Sequence, residues 1–259
     1  MARKKPRESA AARGEGFWDQ PALMSLAADF LIVLGAAGLA WAATTALQRL
    51  PVFPLREMVV VGPAGQVTRE QIEHAARGAV TGNFFTIDLE SARAAFGKLP
   101  WVRNAEVRRR WPDGIELVLE EHVAAARWKP AGAAGTPEGR LVNTWGEVFA
   151  GTSDEALPAF SGPEGSAPRL LERHRGFEAA LAAAGHRVEG IALSAREAWQ
   201  LHLEGGLVLE LGRDQPRHPL AERVIRFAEH YPAAREAAGF SAGVVDMRYP
   251  NGFALRPET

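Results

Sequence analysis

Phe30–Leu47, FLIVLGAAGLAWAATTAL, is an unbroken run without a charged residue. As a helix rising ~1.5 Å per residue it reaches about 27 Å, close to the ~30 Å hydrocarbon core of a bilayer. Extending it back to Ala22 adds length at the cost of one carboxylate, Asp29. This run predicts a short tail at 1–21, a transmembrane helix at 22–47, and one long polar portion from Gln48 onward without a second span. Two other readings exist. A buried helix of a soluble protein is disfavoured by the basic tail ahead of so long an uncharged run. A cleaved signal peptide finds a small-x-small site in Ala40-Trp41-Ala42. The long polar tail and the apolar residues continuing to Leu47 favour an uncleaved anchor.

Charge gives the orientation. Arg3, Lys4, Lys5, Arg7 and Arg13 crowd the tail against Glu8, Glu15 and Asp19. Basic residues beside a span set its cytoplasmic side and acids count for little, so the tail is expected in the cytoplasm and the bulk exported. Asp29 is placed about one turn inside the cytoplasmic boundary, reaching the headgroups; pairing with another membrane helix is the alternative.

The exported part is long enough for one large or two small domains. A formal net charge of -1 argues against general binding of nucleic acid or other polyanions. With no cysteine, disulfides, thiol nucleophiles and thiolate metal sites are excluded.

Pro51 and Pro54 break the helix, and Leu55–Val61 reads as a strand ended by Gly62-Pro63. Thr68-Arg69-Glu70-Gln71 is a capping box opening a helix with Ile72, Ala75, Ala76 and Ala79 at helical spacing. Asp88 caps a second helix expected over Leu89–Leu99, stopped by Pro100. Strands at Trp101–Trp111 and Ile115–Val123 flank the turn Pro112-Asp113-Gly114. The order β-α-α-β-β over about 70 residues makes a small α+β domain. Lys129–Gly139 reads as a Gly/Pro/Ala-rich linker or loop, Arg140–Ala150 as a hairpin, and Leu157–Pro163 as irregular. A helix from Ser166 closes at Gly185. Strands follow at Val188–Leu193, Ala198–Leu203 and, through Gly205-Gly206, Leu207–Leu211. Pro219–Tyr231 is a helix, and Gly243–Leu255 holds the last strand. Trp199 is expected in the core.

Catalytic signals are few. The seven histidines are scattered, without metal-ligand spacing, and neither a Gly-x-Ser-x-Gly elbow nor a P-loop is present. No catalytic, cofactor or metal site is therefore assigned. The run Arg108-Arg109-Arg110 is expected to be neutralised across strands by Glu116, Glu120 and Glu121. In Val244–Leu255, VVDMRYPNGFAL, alternation precedes Pro250. That proline fits an exposed edge strand able to take a partner strand. Pro250-Asn251-Gly252 equally fits a hairpin turn, and residue physics leaves the two readings even.

Leu99-Pro100-Trp101-Val102, Trp111-Pro112-Asp113 and Ala126-Arg127-Trp128 resemble the closing helix and hairpin of the POTRA domain in the FtsQ/DivIB family of bacterial cell-division proteins. Ser194-Ala195-Arg196, Trp199-Gln200-Leu201, Leu211-Gly212-Arg213, Glu229-His230-Tyr231-Pro232 and Asp246-Met247-Arg248-Tyr249 extend that resemblance through the second half. It implies an α+β chain with a single N-terminal transmembrane helix, a POTRA domain at 54–124 and a β-rich domain with flanking helices at 125–256. It further implies a non-enzymatic scaffold at the division septum. Such a scaffold binds FtsB and FtsL in the periplasm, contacts other division proteins through its POTRA domain and anchor, and links early and late division proteins to septal peptidoglycan synthesis.

Carried over from the resemblance, Tyr249 matches the family's interface tyrosine. Asn251 and Gly252 fall where a small polar residue and a glycine pair with FtsB, and Arg196 matches an arginine facing an acidic residue of that partner. Phe253, expected to be exposed, adjoins them. Arg248 joins the candidate partner-binding set, although with Asp246 it is assigned first to the fold. Pro250 departs from the pattern by lacking an N–H. The alternatives are a POTRA-containing envelope assembly or secretion component, which would carry a barrel of amphipathic strands, and an anchored periplasmic enzyme, which would need a catalytic constellation.

Overall fold

The computed structural model describes residues 21–49, 54–62, 65–132 and 139–257. The basic tail, Pro63-Ala64 and most of the predicted linker lie outside the described residues. Contacts divide the chain into two compact units. One runs to Met58 and takes in Thr81–Ile87 and Arg109–Ile115; the other comprises Val59–Val80, Asp88–Arg108 and Glu116–Thr259.

Helix α1, Pro21–Arg49, covers the predicted span, and Pro21–Ala46 is long and apolar enough to cross a membrane. None of that stretch is buried by the rest of the described chain, so Leu31, Ile32, Val33 and Leu39 have no protein core to enter. The Ser25, Thr44 and Thr45 hydroxyls donate to carbonyls three or four residues back. Their polarity is thus satisfied within the helix, as a lipid environment requires.

The β-α-α-β-β order follows as expected: β1 Glu57–Val61, α2 Arg69–Ala79, α3 Leu89–Phe96, β2 Val102–Arg110 and β3 Gly114–Glu121. The three strands form one sheet in the order β1-β3-β2. Both halves of the Thr68/Gln71 capping box are made, and Asp88 accepts from the Glu90 and Ser91 amides. Helix α3 stops at Phe96, short of the expected Leu99, because Gly97 ends it and the chain tightens into a turn in which Val102 N–H bonds Leu99 O.

The arginine run is paired mainly in other ways than predicted, although the Glu116 carboxylate of the neighbouring strand still favours the charged Arg108 guanidinium. Arg108 pairs with Glu106 on its own strand at 2.8 Å, and Arg109 donates to the carbonyls of Phe84, Phe85 and Ile87. Glu120 instead takes Arg103 at 2.8 Å. Glu121 accepts from three successive amides, Gly65, Gln66 and Val67, the last at 2.8 Å. It is buried, so it stands in for the backbone partners that this loop lacks. Glu121→Ala is expected to cost about 1–3 kcal/mol, read as a lower urea midpoint at unchanged slope.

The second sheet has nine strands. They are β4 Ala124–Pro130, β5 Arg140–Asn143, β6 Val148–Ala150, β7 Ala159–Gly162, β8 Val188–Leu193, β9 Ala198–Leu203, β10 Val208–Arg213, β11 Ala242–Asp246 and β12 Ala254–Pro257. Their spatial order is β12-β11-β10-β9-β8-β7-β4-β5-β6. Two of these strands correct the sequence reading. Lys129 and Pro130 close β4 rather than open a linker, and the segment expected to be irregular supplies β7, parallel to both β4 and β8. Parallel neighbours need crossovers. Helix α4, Ala167–Ala182, joins β7 to β8, and α5, Leu220–Ala238, joins β10 to β11.

Gly185 closes α4 as expected. At φ 77° it lets His186 N–H reach Leu181 O and its own N–H reach Ala182 O. Helix α5 runs beyond the expected Tyr231, through Pro232 to Ala238, where Gly239 caps it at φ 69°.

The core lies where the helices cover this sheet. Cross-strand partners set Trp128, Phe160, Ile191, Leu201, Leu209, Val245 and Leu255 in one apolar row from β4 to β12. The next row, one residue along and on the other face, reads Lys129, Ser161, Ala192, Gln200, Glu210, Asp246, Ala254. Trp199 is buried, as expected.

Candidate partner-binding edge

Strand β12 ends the nine-stranded sheet and pairs with β11 alone among the described residues. The pairing is antiparallel, with Val244 opposite Arg256, Val245 opposite Leu255 and Asp246 opposite Ala254. Its outer side therefore presents unpaired backbone donors and acceptors to an incoming strand. Pro257, lacking an N–H, sits in this edge strand, the position a sheet tolerates.

The stretch expected to hold one strand is a hairpin. Met247–Phe253 leaves the sheet between β11 and β12, with Pro250-Asn251 in the turn. Pro250 turns the chain, as the hairpin reading has it, and does not lie in the edge strand, which begins four residues later at Ala254. Arg226 on α5 fixes this turn by donating to the carbonyls of Tyr249 and, at 2.7 Å, Pro250.

Four charges lock the hairpin to β10. The Asp246 carboxylate, nearly inaccessible, takes Arg248 Nε at 2.8 Å, its Nη2 at 2.5 Å and its backbone amide at 3.1 Å. Arg256 of β12 reaches Glu210 of β10 at 2.7 Å and lies 3.8 Å from Asp246. Arg248 also lies 3.4 Å from Glu210. Hydrogen bonds from Arg248 above all hold the Asp246 carboxyl below the usual carboxylate range, against the opposing effect of burial, and raise the Arg248 guanidinium. A carboxyl so depressed contributes stability above its unfolded pKa and loses it as pH falls through the folded one. Stability is therefore expected to fall more steeply below about pH 4 in the native chain than in Asp246→Asn, measured by denaturant titration at each pH.

Beside this cluster a groove of about 570 Å³ is lined by Ser161, Ala192, Ser194, Gln200, Glu210 and Arg248, among others. It follows the row of small and polar residues on the sheet face opposite the apolar row. Gly212 belongs to its wall: at φ 73° an added Cβ would meet Arg248 Cγ at 2.9 Å. The turn between β8 and β9 forms one rim. Ser194 Oγ accepts from the amides of Arg196 and Ala198, and Arg213 Nε donates to Arg196 O at 2.9 Å.

Known proteins match across this architecture. The family model for the C-terminal region of the cell division protein FtsQ/DivIB matches residues 126–248, and that for the FtsQ-type POTRA domain matches 53–122. The cell division protein FtsQ of Burkholderia pseudomallei is 38% identical over 247 residues, covering 92% of this chain and 94% of that one. That of Nitrosospira multiformis is 37% identical over 244 residues, covering 92% and 98%. That of Escherichia coli is 31% identical over 212 residues, covering 78% and 72%. The chain belongs to the FtsQ/DivIB family of bacterial cell-division proteins. Membership, together with α1, supports a single-pass membrane protein with a POTRA domain and a C-terminal β-rich domain.

Within this family frame the candidate residues divide into four sets. Tyr249 and Asn251 are exposed on the β11–β12 turn, with Gly252 half-buried beside them. Phe253 corrects the expectation of exposure: it is half-buried and packs on the core, since the returning chain must re-enter the sheet there. Arg196 is exposed on the β8–β9 turn, whose Ser194 and Ala195 line the same groove as Arg248. The guanidinium of Arg248 is engaged by Asp246 and Glu210. Sequence reading missed Arg226, Glu210 and Arg256. Each lies in another element, and no local spacing marks a residue that acts by reaching across a sheet or down from a helix.

Proposed function

We propose that this chain is a non-enzymatic scaffold of the division apparatus that binds FtsB, together with FtsL, by strand addition along β12 and side-chain contacts from the β11–β12 turn. The carrying observation is an unpaired sheet edge next to an exposed tyrosine on a turn braced by Arg226. Backbone bonds along the edge would supply affinity, and Tyr249, Asn251 and Gly252 would supply selection. Because Arg248 is held by Asp246 and Glu210, its part is to fix the turn, while Arg196 is left to face an acidic partner residue.

In this reading 1–21 is a cytoplasmic tail, 22–47 the anchor, and 54–124 and 125–256 the POTRA and β domains in the periplasm at the septum. The basic tail supports that orientation. The scattered histidines and the structural pairing of the charges around the edge favour binding over turnover. Through its partners the scaffold would connect early and late division proteins to septal peptidoglycan synthesis.

The test is calorimetric titration of residues 51–259 with the periplasmic part of FtsB from the same organism, with and without FtsL. Saturable binding, with hydrogen-exchange protection gained in 254–257, is expected. Absence of binding by the folded fragment, even with FtsL present, would remove the partner assignment.

A further inference from the structure

A second feature lies at the other end of the chain. The loop Thr81–Ile87 and the β2–β3 turn come together with the described segment Pro54–Met58. Phe84, buried, sits edge-on to two rings: Phe85 at 5.2 Å and 87°, and Trp111 at 5.7 Å and 81°. Phe85 is 46% exposed and Trp111 69%. Neither ring is on a loose tip. Asn83 Oδ1 accepts from the amides of Phe85 and Thr86, and Arg109 grips the carbonyls of Phe84, Phe85 and Ile87. Gly82, at φ 96°, allows the tight entry: a Cβ there would meet Thr86 Oγ1 at 2.7 Å. These hydrogen bonds fix the Phe85 loop, and the Trp111 ring is set against it by its edge contact with Phe84.

The covalent chain limits how far these rings can be from lipid. Arg49 ends α1, and Pro54 bridges Asn83 in the same loop. The five Cα–Cα steps from Arg49 to Pro54 extend at most about 18 Å at ~3.6 Å each. The headgroup layer beyond the hydrocarbon core is itself about 5–8 Å deep on each side. Aromatic rings with a polar handle or edge settle in that layer, where the ring leaves water without its dipoles entering hydrocarbon. The tip carries Arg56, Arg109 and Arg110 against Glu57 and Asp113, one net positive charge. Charge that small makes the rings, rather than attraction to anionic lipid, the source of adhesion.

We propose that Phe85 and Trp111 insert into the headgroup layer of the membrane that α1 spans, giving the exported part a second, non-covalent contact with the bilayer. Such a contact would replace a freely pivoting tether by a two-point mount and limit the directions in which the exported part can face. The inference rests on α1 spanning the bilayer and is independent of the partner assignment.

The chain has no cysteine, so a single nitroxide can be attached at Thr81→Cys in the full-length protein. In nanodiscs of mixed phosphatidylethanolamine and phosphatidylglycerol, power saturation compares its accessibility to oxygen and to a water-soluble nickel chelate. The expected result is protection from nickel in the otherwise native chain, little changed by 0.5 M salt, and lost in Trp111→Gln and in Phe85→Gln. Both rings are substantially exposed, so neither substitution empties a core, and circular dichroism checks the fold. A label fully open to nickel in the native chain would overturn the proposal. Protection that persists in both folded variants would overturn it too, because the tether alone would then account for proximity.

Discussion

Phe160→Ala is expected to lower the unfolding free energy of residues 51–259 by about 3–5 kcal/mol, the range for emptying a closed aromatic site. Phe160 has no exposed surface and lies between Trp128 and Ile191 in the apolar row, with the His174 ring 5.2 Å away. Its strand is hydrogen-bonded on both sides, so the backbone cannot collapse into the vacancy. Domain stabilities are about 5–15 kcal/mol, and a loss of this size is a large share of the total. Urea unfolding reads it as a fall in midpoint at unchanged slope, with Phe160→Leu intermediate. A loss near that of a surface substitution would mean that β7 does not close the sheet.

Tyr249→Ala is the corresponding expectation for binding. Under the proposed reading it weakens the FtsB complex about 30-fold, or ~2 kcal/mol, the size of an interface hot spot. Tyr249 is 55% exposed, and its carbonyl rather than its ring is what Arg226 holds. Removing the ring therefore leaves turn and edge in place, and thermal unfolding should coincide with the native fragment. Phe253→Ala behaves differently: packed on the core, it loses stability together with affinity. Affinity unchanged in Tyr249→Ala would move the selective contact off this turn. Affinity lost in both, with stability lost only in Phe253→Ala, separates the ring that recognises from the ring that supports.

Much of the architecture was legible because its signals are local. An uncharged run, a capping box, and alternation along Ala198–Leu203 and Leu207–Leu211 each depend on residues within one or two turns of each other. α1, α2, β9 and β10 accordingly appear where they were read. Strand β7 was invisible for the opposite reason. Ala-Phe-Ser-Gly has one large apolar residue and no alternation, and only two parallel neighbours make it a strand. The end of β4 was hidden in the same way, since a Lys-Pro pair resembles linker sequence until β7 pairs with it. Pro232 masked the continuation of α5, whose last turns hold although that residue offers no amide.

The candidate site divides along the same line. The long apolar N-terminal helix, the strand-helix-helix-strand-strand order, and a terminal segment combining alternation with a turn-forming Pro-Asn-Gly were readable from residue types and spacing. Those follow from side-chain chemistry and spacing that any fold would have to respect. That β12 is the sheet's edge, that Arg256 reaches across to Glu210, and that Phe253 turns inward while Tyr249 stays out emerge only from the assembled fold. The reason is physical: edge position, cross-strand charge pairing and the direction of a ring are properties of neighbours supplied by distant parts of the chain, and hydrogen-bonded register fixes them only once the sheet has closed.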